Sequence, residues 1–296
     1  MRVTIFGASG LLGQALMREW SGDDVTGLSI EDMDIRDAAK VREVVGKRRP
    51  GWIVLAAAYT DVDGCESNRE LAFSVNRDGA VTVAEAAKQT GAKLLFLSTD
   101  YVFDGKKTSP YEIGDMRNPQ SVYGRSKAEA EVRLLEILPD CCIVRTAWLF
   151  GTGGKCFPDT ILKLAASRPA LDVVSDQRGC PTYSIDLARA IIHLCRKGAT
   201  GIVHVTNAGN CSWFEFAQTI VRSAGLSTDV RPVSTQQMAR PAARPAYSVL
   251  SQASLQGYGI AMPTWQDALG RYLHEWGSRG GQAHPLPIAA RGPSRR

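Results

Sequence analysis

Short apolar runs alternate with helix-period segments from the third residue onward, and this alternation constrains the fold more than any other feature of the chain. Residues 3–6 (VTIF) read as a strand, 11–20 as a helix, 25–28 as a strand, and 37–47 as a helix with Val41, Val44 and Val45 on one side. The pattern repeats with strands at 53–58, 94–98 and 142–146 and helices at 71–89 and 123–138. Gly91 follows the 71–89 segment, and glycine commonly closes helices in the left-handed conformation. Strands that are apolar throughout, separated by amphipathic helices, predict a parallel sheet covered on both faces. The expected fold class is therefore α/β, with a doubly wound parallel sheet over residues 1–150. After Gly151 the alternation loosens, with helices expected at 157–167, 184–196, 213–224 and 264–276 and short strands at 171–174 and 202–206. Residues 151–277 read mainly as a smaller substrate-binding lobe that returns some strands to the sheet. Residues 278–296 are rich in Gly, Pro and Arg, lack periodicity, and read as a disordered tail.

Bulk properties exclude several classes. The net charge of +5 is mild, and Arg279, Arg291, Arg295 and Arg296 supply much of the excess, so no nucleic-acid footprint is expected. No apolar run approaches the roughly 20 residues that a membrane span requires. The N-terminal MRVTIFGASG enters a strand at once without a small-residue cleavage pattern, which reads against a signal peptide and for the cytoplasm. Seven cysteines without a C-x-x-C pair read as free thiols of a reducing compartment. His193 and Cys195 share a helix but no second pair answers them, so no metal site is expected.

Several local patterns carry chemistry. Gly7-Ala-Ser9-Gly10-Leu11-Leu12-Gly13 joins the first strand to the first helix. Glycines there permit a tight turn and close approach of backbone amides to a pyrophosphate at a helix N-terminus, so the turn is expected to hold a dinucleotide in a Rossmann fold. The second strand ends at Ser29, where an acid would repel a 2′-phosphate; its absence allows NADP(H) and gives it a modest preference, with NAD(H) also permitted and Glu31 nearby pointing the other way. Asp34-Ile35 is expected to meet the adenine edge or to start a helix, and the small Ala56-Ala57-Ala58 lets a cofactor lie across the third strand end. Finally, Tyr123 and Lys127 stand four apart, which on a helix puts phenol and ammonium on one face. A cation beside a phenol favours the phenolate and lowers its pKa from about 10, suiting it to general acid–base work.

Taken together these patterns resemble the extended short-chain dehydrogenase/reductase superfamily, and more closely the dTDP-4-dehydrorhamnose reductase family, which reduces a nucleotide-linked 4-keto sugar. The matching stretches span residues 1–276. They include Phe6-GASGLLG, AAAYTDVDGCE from Ala56, Ser74-Val-Asn76, Ser98-Thr-Asp-Tyr-Val-Phe-Asp-Gly105, Tyr123-Gly-Arg-Ser-Lys127, Arg145-Thr-Ala-Trp-Leu-Phe-Gly151, Asp176-Gln-Arg-Gly-Cys-Pro-Thr-Tyr183 and Arg244-Pro-Ala-Tyr-Ser-Val-Leu250. The resemblance implies that Thr99 is the active-site hydroxyl, Tyr123 the proton donor and Lys127 its partner, which also holds the nicotinamide ribose. It implies Ser98 and Asn76 near the cofactor, Asn76 being alternatively a polar residue that stabilises the sheet. Tyr101 and Trp148 are implied near the sugar, or else as core aromatics, and Arg244 at the diphosphate, or else as an exposed loop arginine. Pro181 is implied to shape a loop over the nicotinamide. Some members place acids for a divalent metal at a dimer interface near positions that here are Ala15 and Ile185, which cannot ligate one, so monomer and homodimer both stay open. A related reductase or epimerase acting on another nucleotide sugar, and a catalytically silent NADP-binding regulatory subunit, are the rival readings.

Overall fold

The computed structural model describes residues 1–278, so the expected tail lies outside the described residues apart from Ser278, which closes the last helix. The first half runs β1 (Arg2–Phe6), α1 (Leu11–Glu19), β2 (Asp24–Leu28), α2 (Ala38–Arg48), β3 (Trp52–Leu55), α3 (Val62–Ser67), α4 (Arg69–Phe73), α5 (Ala80–Thr90), β4 (Lys93–Thr99), α6 (Val122–Ile137) and β5 (Cys142–Thr146). The second half runs β6 (Leu149–Phe150), α7 (Phe157–Ala165), β7 (Ala170–Val174), β8 (Arg178–Gly179), β9 (Thr182–Tyr183), α8 (Ser184–Lys197), β10 (Gly201–His204), β11 (Cys211–Ser212), α9 (Trp213–Ser223), β12 (Asp229–Val233), α10 (Thr235–Met238), α11 (Ala253–Gln256) and α12 (Trp265–Ser278).

Six parallel strands form the central sheet in the order β10-β5-β4-β3-β1-β2. Strand side chains alternate between faces, and here both faces are apolar. Trp52, Val54, Leu95 and Leu97 enter one core, shared with α1, α8 and the second half of the chain. Ile53, Leu55, Leu94 and Phe96 enter the other, shared with α2, α5 and α6. A sheet buried on both sides must read as continuous apolar runs, which is why its strands were legible. The chain leaves β1 toward β2 on one side and then crosses to β3 on the other, and this reversal opens a crevice at the carboxyl ends of β1 and β3.

Helix ends follow side-chain capping. Asp37 accepts from the Lys40 amide at α2 and Ser121 from the Gly124 amide at α6, while Gly91 takes φ 71° after α5. Three expectations are corrected. The single helix expected over 71–89 is α4 and α5 joined by a wider π-type turn, Ser74–Gly79, preceded by the unexpected α3. The third strand stops at Leu55, so Ala56, Ala57 and Ala58 lie in the loop beyond it. The strand expected at 202–206 ends at His204. All seven cysteines are buried free thiols.

Candidate active site

A cavity of about 670 Å³ occupies the crevice at the carboxyl edge of the sheet. Its floor is the turn between β1 and α1, where Gly7, Gly10, Leu11, Leu12 and Gly13 all line it. Gly7 has φ 89°, and a side chain there would place Cβ 2.5 Å from the Ala57 amide nitrogen. At Gly13 a Cβ would collide with the Gly7 carbonyl oxygen and the Ala8 backbone. Glycine is thus required at Gly7 by both conformation and space, and at Gly13 by space. Gly10 caps α1 without a side-chain hydrogen bond, and the first turn holds no acid, so its amides face the crevice without a competing anion. That arrangement fits a dinucleotide pyrophosphate.

Ala56 and Ala58 line the cavity, whereas Ala57 packs behind Gly7 and Ser9 is turned outward, its carbonyl accepting from Gln14 Nε2 at 2.7 Å. Three other expected cofactor contacts also sit outside the lining. Asp34 is taken by the Arg36 guanidinium at 2.5 to 3.0 Å, and Ile35 is buried against the Gly79 turn. Asn76 is buried, with its Oδ1 accepting from the Tyr59 amide at 2.8 Å and its Nδ2 donating to the Tyr59 carbonyl and Ser126 Oγ, each at 3.0 Å. It clamps the loop after β3 to α6 and has no polar atom left over.

The chemistry-bearing residues meet in the same cavity. Thr99 ends β4, while Tyr123 and Lys127 project from the first turns of α6, and all three line the same space. The tyrosine ring opens on the cavity but is otherwise enclosed by protein, and Tyr101 meets it edge to face at 6.0 Å. Burial pushes the Tyr123 phenol well above its ordinary pKa; the nearby Thr99 hydroxyl draws it down, and Asp100 adds to the rise. The expectation that Lys127 lowers it is therefore corrected. Burial lowers the Lys127 pKa itself to about 7, and its ammonium nitrogen lies 4.0 Å from the centre of the Phe96 ring. Ser98 also lines the cavity, but its hydroxyl donates to Glu131 Oε1 at 2.5 Å.

Tyr101, Trp148 and Arg244 line the same cavity. Trp148 sits at φ 46° and stacks on Trp213 with ring centres 3.5 Å apart and planes 7° from parallel. The Arg244 guanidinium, mostly buried, bonds both oxygens of Asp63 at 3.0 and 2.9 Å, so it is already paired where an anion was expected. Sequence reasoning missed Asp100 and Trp213. Asp100 is buried in the cavity wall, accepts from Thr99 Oγ1 at 3.1 Å on Oδ1, and leaves Oδ2 without a hydrogen-bond partner. Burial raises its pKa to about 6, only partly offset by the Ser248 and Thr99 hydroxyls. Asp100 stood inside a quoted motif and was legible there; Trp213 lies 65 residues beyond Trp148, and no local pattern joins them. Ala15 and Ile185 belong to the apolar core, and no group of three metal-ligating side chains occurs among the described residues.

Comparison with known proteins decides between families that share this layout. The family described as RmlD substrate binding domain matches residues 1–277. The dTDP-4-dehydrorhamnose reductase of Streptomyces griseus is 40% identical, over 97% of each chain. The chain belongs to the dTDP-4-dehydrorhamnose reductase family. It is thereby an NAD(P)-dependent oxidoreductase. The spore coat polysaccharide biosynthesis protein SpsK of Bacillus subtilis is 42% identical, over 93% of this chain and 97% of that one. A crystal structure of dTDP-4-dehydrorhamnose reductase from Bacillus anthracis in complex with NADP superposes with a TM-score of 0.91 at 40% identity, covering 93% of this chain and 99% of that one. No helix among the described residues of this family member is long and apolar enough to cross a membrane.

Proposed function

We propose that the chain reduces the 4-keto group of a dTDP-linked 6-deoxy sugar, foremost dTDP-4-dehydro-L-rhamnose to dTDP-L-rhamnose, in surface polysaccharide synthesis. The observation that carries this reading is the meeting of Thr99, Tyr123 and Lys127 beside the glycine turn in one cavity of a family member. The cofactor is NADPH by preference, with NADH accepted, and it supplies a hydride to the carbonyl carbon. Gly7, Gly10 and Gly13 with the α1 amides hold its pyrophosphate, and Ala56 and Ala58 leave room beside it.

Tyr123 acts as the proton donor. Its raised pKa keeps the phenol protonated at neutral pH, the state a general acid must start from. Thr99 turns its single hydroxyl hydrogen from Asp100 Oδ1 to the same carbonyl oxygen as negative charge grows there. Lys127 holds the nicotinamide ribose hydroxyls. Tyr101 and Trp148 contact the sugar, to which Trp213 adds a second indole behind Trp148. Arg244 meets the diphosphate while shared with Asp63. Residues 1–150 serve as the cofactor domain and 151–277 mainly as the substrate lobe, in a cytoplasmic monomer or homodimer.

The test is NADPH oxidation followed at 340 nm with dTDP-4-dehydro-L-rhamnose, with the product identified by NMR. Stoichiometric oxidation that yields dTDP-L-rhamnose is expected. Sugar interconversion without net NADPH consumption would point to an epimerase, and cofactor binding without turnover across 4-keto sugar nucleotides to a silent subunit.

A further inference from the structure

Glu131 lies one helical turn beyond Lys127 on α6, fully buried, and its carboxylate accepts four hydrogen bonds from three residues in separate parts of the site. Arg145 on β5 donates from Nε to Oε1 at 2.9 Å and from Nη2 to Oε2 at 2.7 Å. Arg117, on the loop before α6, donates to Oε2 at 3.0 Å, and Ser98 on β4 donates to Oε1 at 2.5 Å. Ser98 immediately precedes Thr99, and Arg145 immediately precedes Thr146, which lines the cavity. One carboxylate thus ties the two strand ends and the helix whose side chains share the active site.

A purely mechanical tie does not call for charge. Buried ion pairs recover little net stability after desolvation, and apolar replacements of similar volume are often neutral or better. A carboxylate here has an electrical effect that a hydrocarbon lacks. Lys127 is buried against the Phe96 ring, and its ammonium nitrogen has no hydrogen bond or ion pair to a protein group among the described residues. The titratable and charged groups around the pair are Tyr123 on the same helix, Arg117 before it, Asp100 after β4, Arg145 on β5 and His204 on β10. His204 Nε2 lies 3.4 Å from Arg145, and burial with that arginine lowers its pKa to about 4, so it adds no charge at neutral pH. Glu131 is the group that favours the charged form of Lys127.

We infer that Glu131 is a positioning residue for the reduction, setting through Ser98 where Thr99 leaves β4 and favouring the ammonium of Lys127 by its charge. The inference rests on the proposed roles of Thr99 and Lys127. It also separates two substitutions: Glu131→Asp keeps the charge but shortens the reach to Ser98, whereas Glu131→Gln keeps the length and removes the charge.

The experiment measures NADPH affinity by fluorescence quenching from pH 6 to 9, which needs no turnover, and kcat and KM for the sugar nucleotide over the same range. For Glu131→Gln the alkaline limb of both profiles is expected to move down by about one pH unit, the scale on which a buried neighbouring charge acts. For Glu131→Asp the limb is expected to stay in place while kcat falls about ten-fold with KM little changed. Superimposable limbs in Glu131→Gln and the parent would overturn the electrical role, as would a limb displaced equally in both variants. If Glu131→Gln does not fold, Glu131→Asp decides alone: an unmoved limb with reduced kcat supports the inference, and a moved limb or unchanged kcat refutes it. An inactive parent whose binding limb still shifts in Glu131→Gln would refute the proposed reaction and leave the Lys127 coupling standing.

Discussion

Tyr123→Phe removes a single oxygen, and the structure says what else goes with it. The ring keeps its edge-to-face contact with Tyr101 at 6.0 Å, so packing is retained. The phenol oxygen lies near the Thr99 hydroxyl, and losing that influence costs at most about 1 kcal/mol, so Tm is expected to move by no more than a few degrees. The catalytic cost is much larger. A positioned general acid contributes about 10²- to 10⁴-fold, or roughly 3–5 kcal/mol of barrier. Asp100 also lines the cavity and carries a proton only below about pH 6, so residual turnover is expected to rise as pH falls through that value. The assay is single-turnover NADPH oxidation in stopped flow from pH 5 to 9, with cofactor Kd and sugar-nucleotide KM measured in parallel. The expected result is a kcat at least ~100-fold lower with Kd and KM within about three-fold of the parent, the pattern of a group that acts in the transition state. A kcat within about three-fold of the parent would refute proton donation by Tyr123.

The other predictions address charge, space and stacking. Lys127→Met is expected to abolish reduction yet stabilise the cofactor-free protein, because it relieves a buried amine whose pKa is lowered to about 7. The unfolded chain holds that proton up to about pH 10, so parent stability rises between about pH 7 and 10. The variant's advantage, of order 3–5 kcal/mol at neutral pH, is therefore expected to shrink over that window in urea titrations; an advantage that grows with pH would refute a lowered Lys127 pKa. Gly13→Ala drives a methyl into the Gly7 carbonyl and the Ala8 backbone, so cofactor binding by calorimetry is expected to disappear and Tm to fall by several degrees; parental affinity would show that the turn yields freely. Trp213→Leu removes the ring stacked on Trp148 at 3.5 Å, a contact of about 1 kcal/mol, and a rise of up to ten-fold in sugar-nucleotide KM is expected with cofactor Kd unchanged. An unchanged KM would show that the pair does not shape the sugar pocket.

Much of this protein was written in local pattern. Continuous apolar runs announced a sheet buried on both faces, since no other setting tolerates such strands. The glycine turn was legible because conformation and space exclude a side chain at Gly7, and space excludes one at Gly13, within one short segment. The four-residue spacing of Tyr123 and Lys127 was enough to place both on one face of α6, because helix geometry is local. Tertiary structure decided what these groups experience. Burial sets the direction of both pKa values: Tyr123 moves up and Lys127 down, opposite to the coupling that spacing alone suggested for the phenol. It also decided partners. Asn76 meets Tyr59, Arg244 meets Asp63 and Trp213 meets Trp148 across intervals of 17, 181 and 65 residues, respectively. Periodicity carries no information over such distances. Desolvation and long-range pairing depend on the assembled surroundings of a side chain, so the sequence alone determined the frame and the reactive residues, and only the packed fold determined their charge states and which of them remain free to meet a ligand.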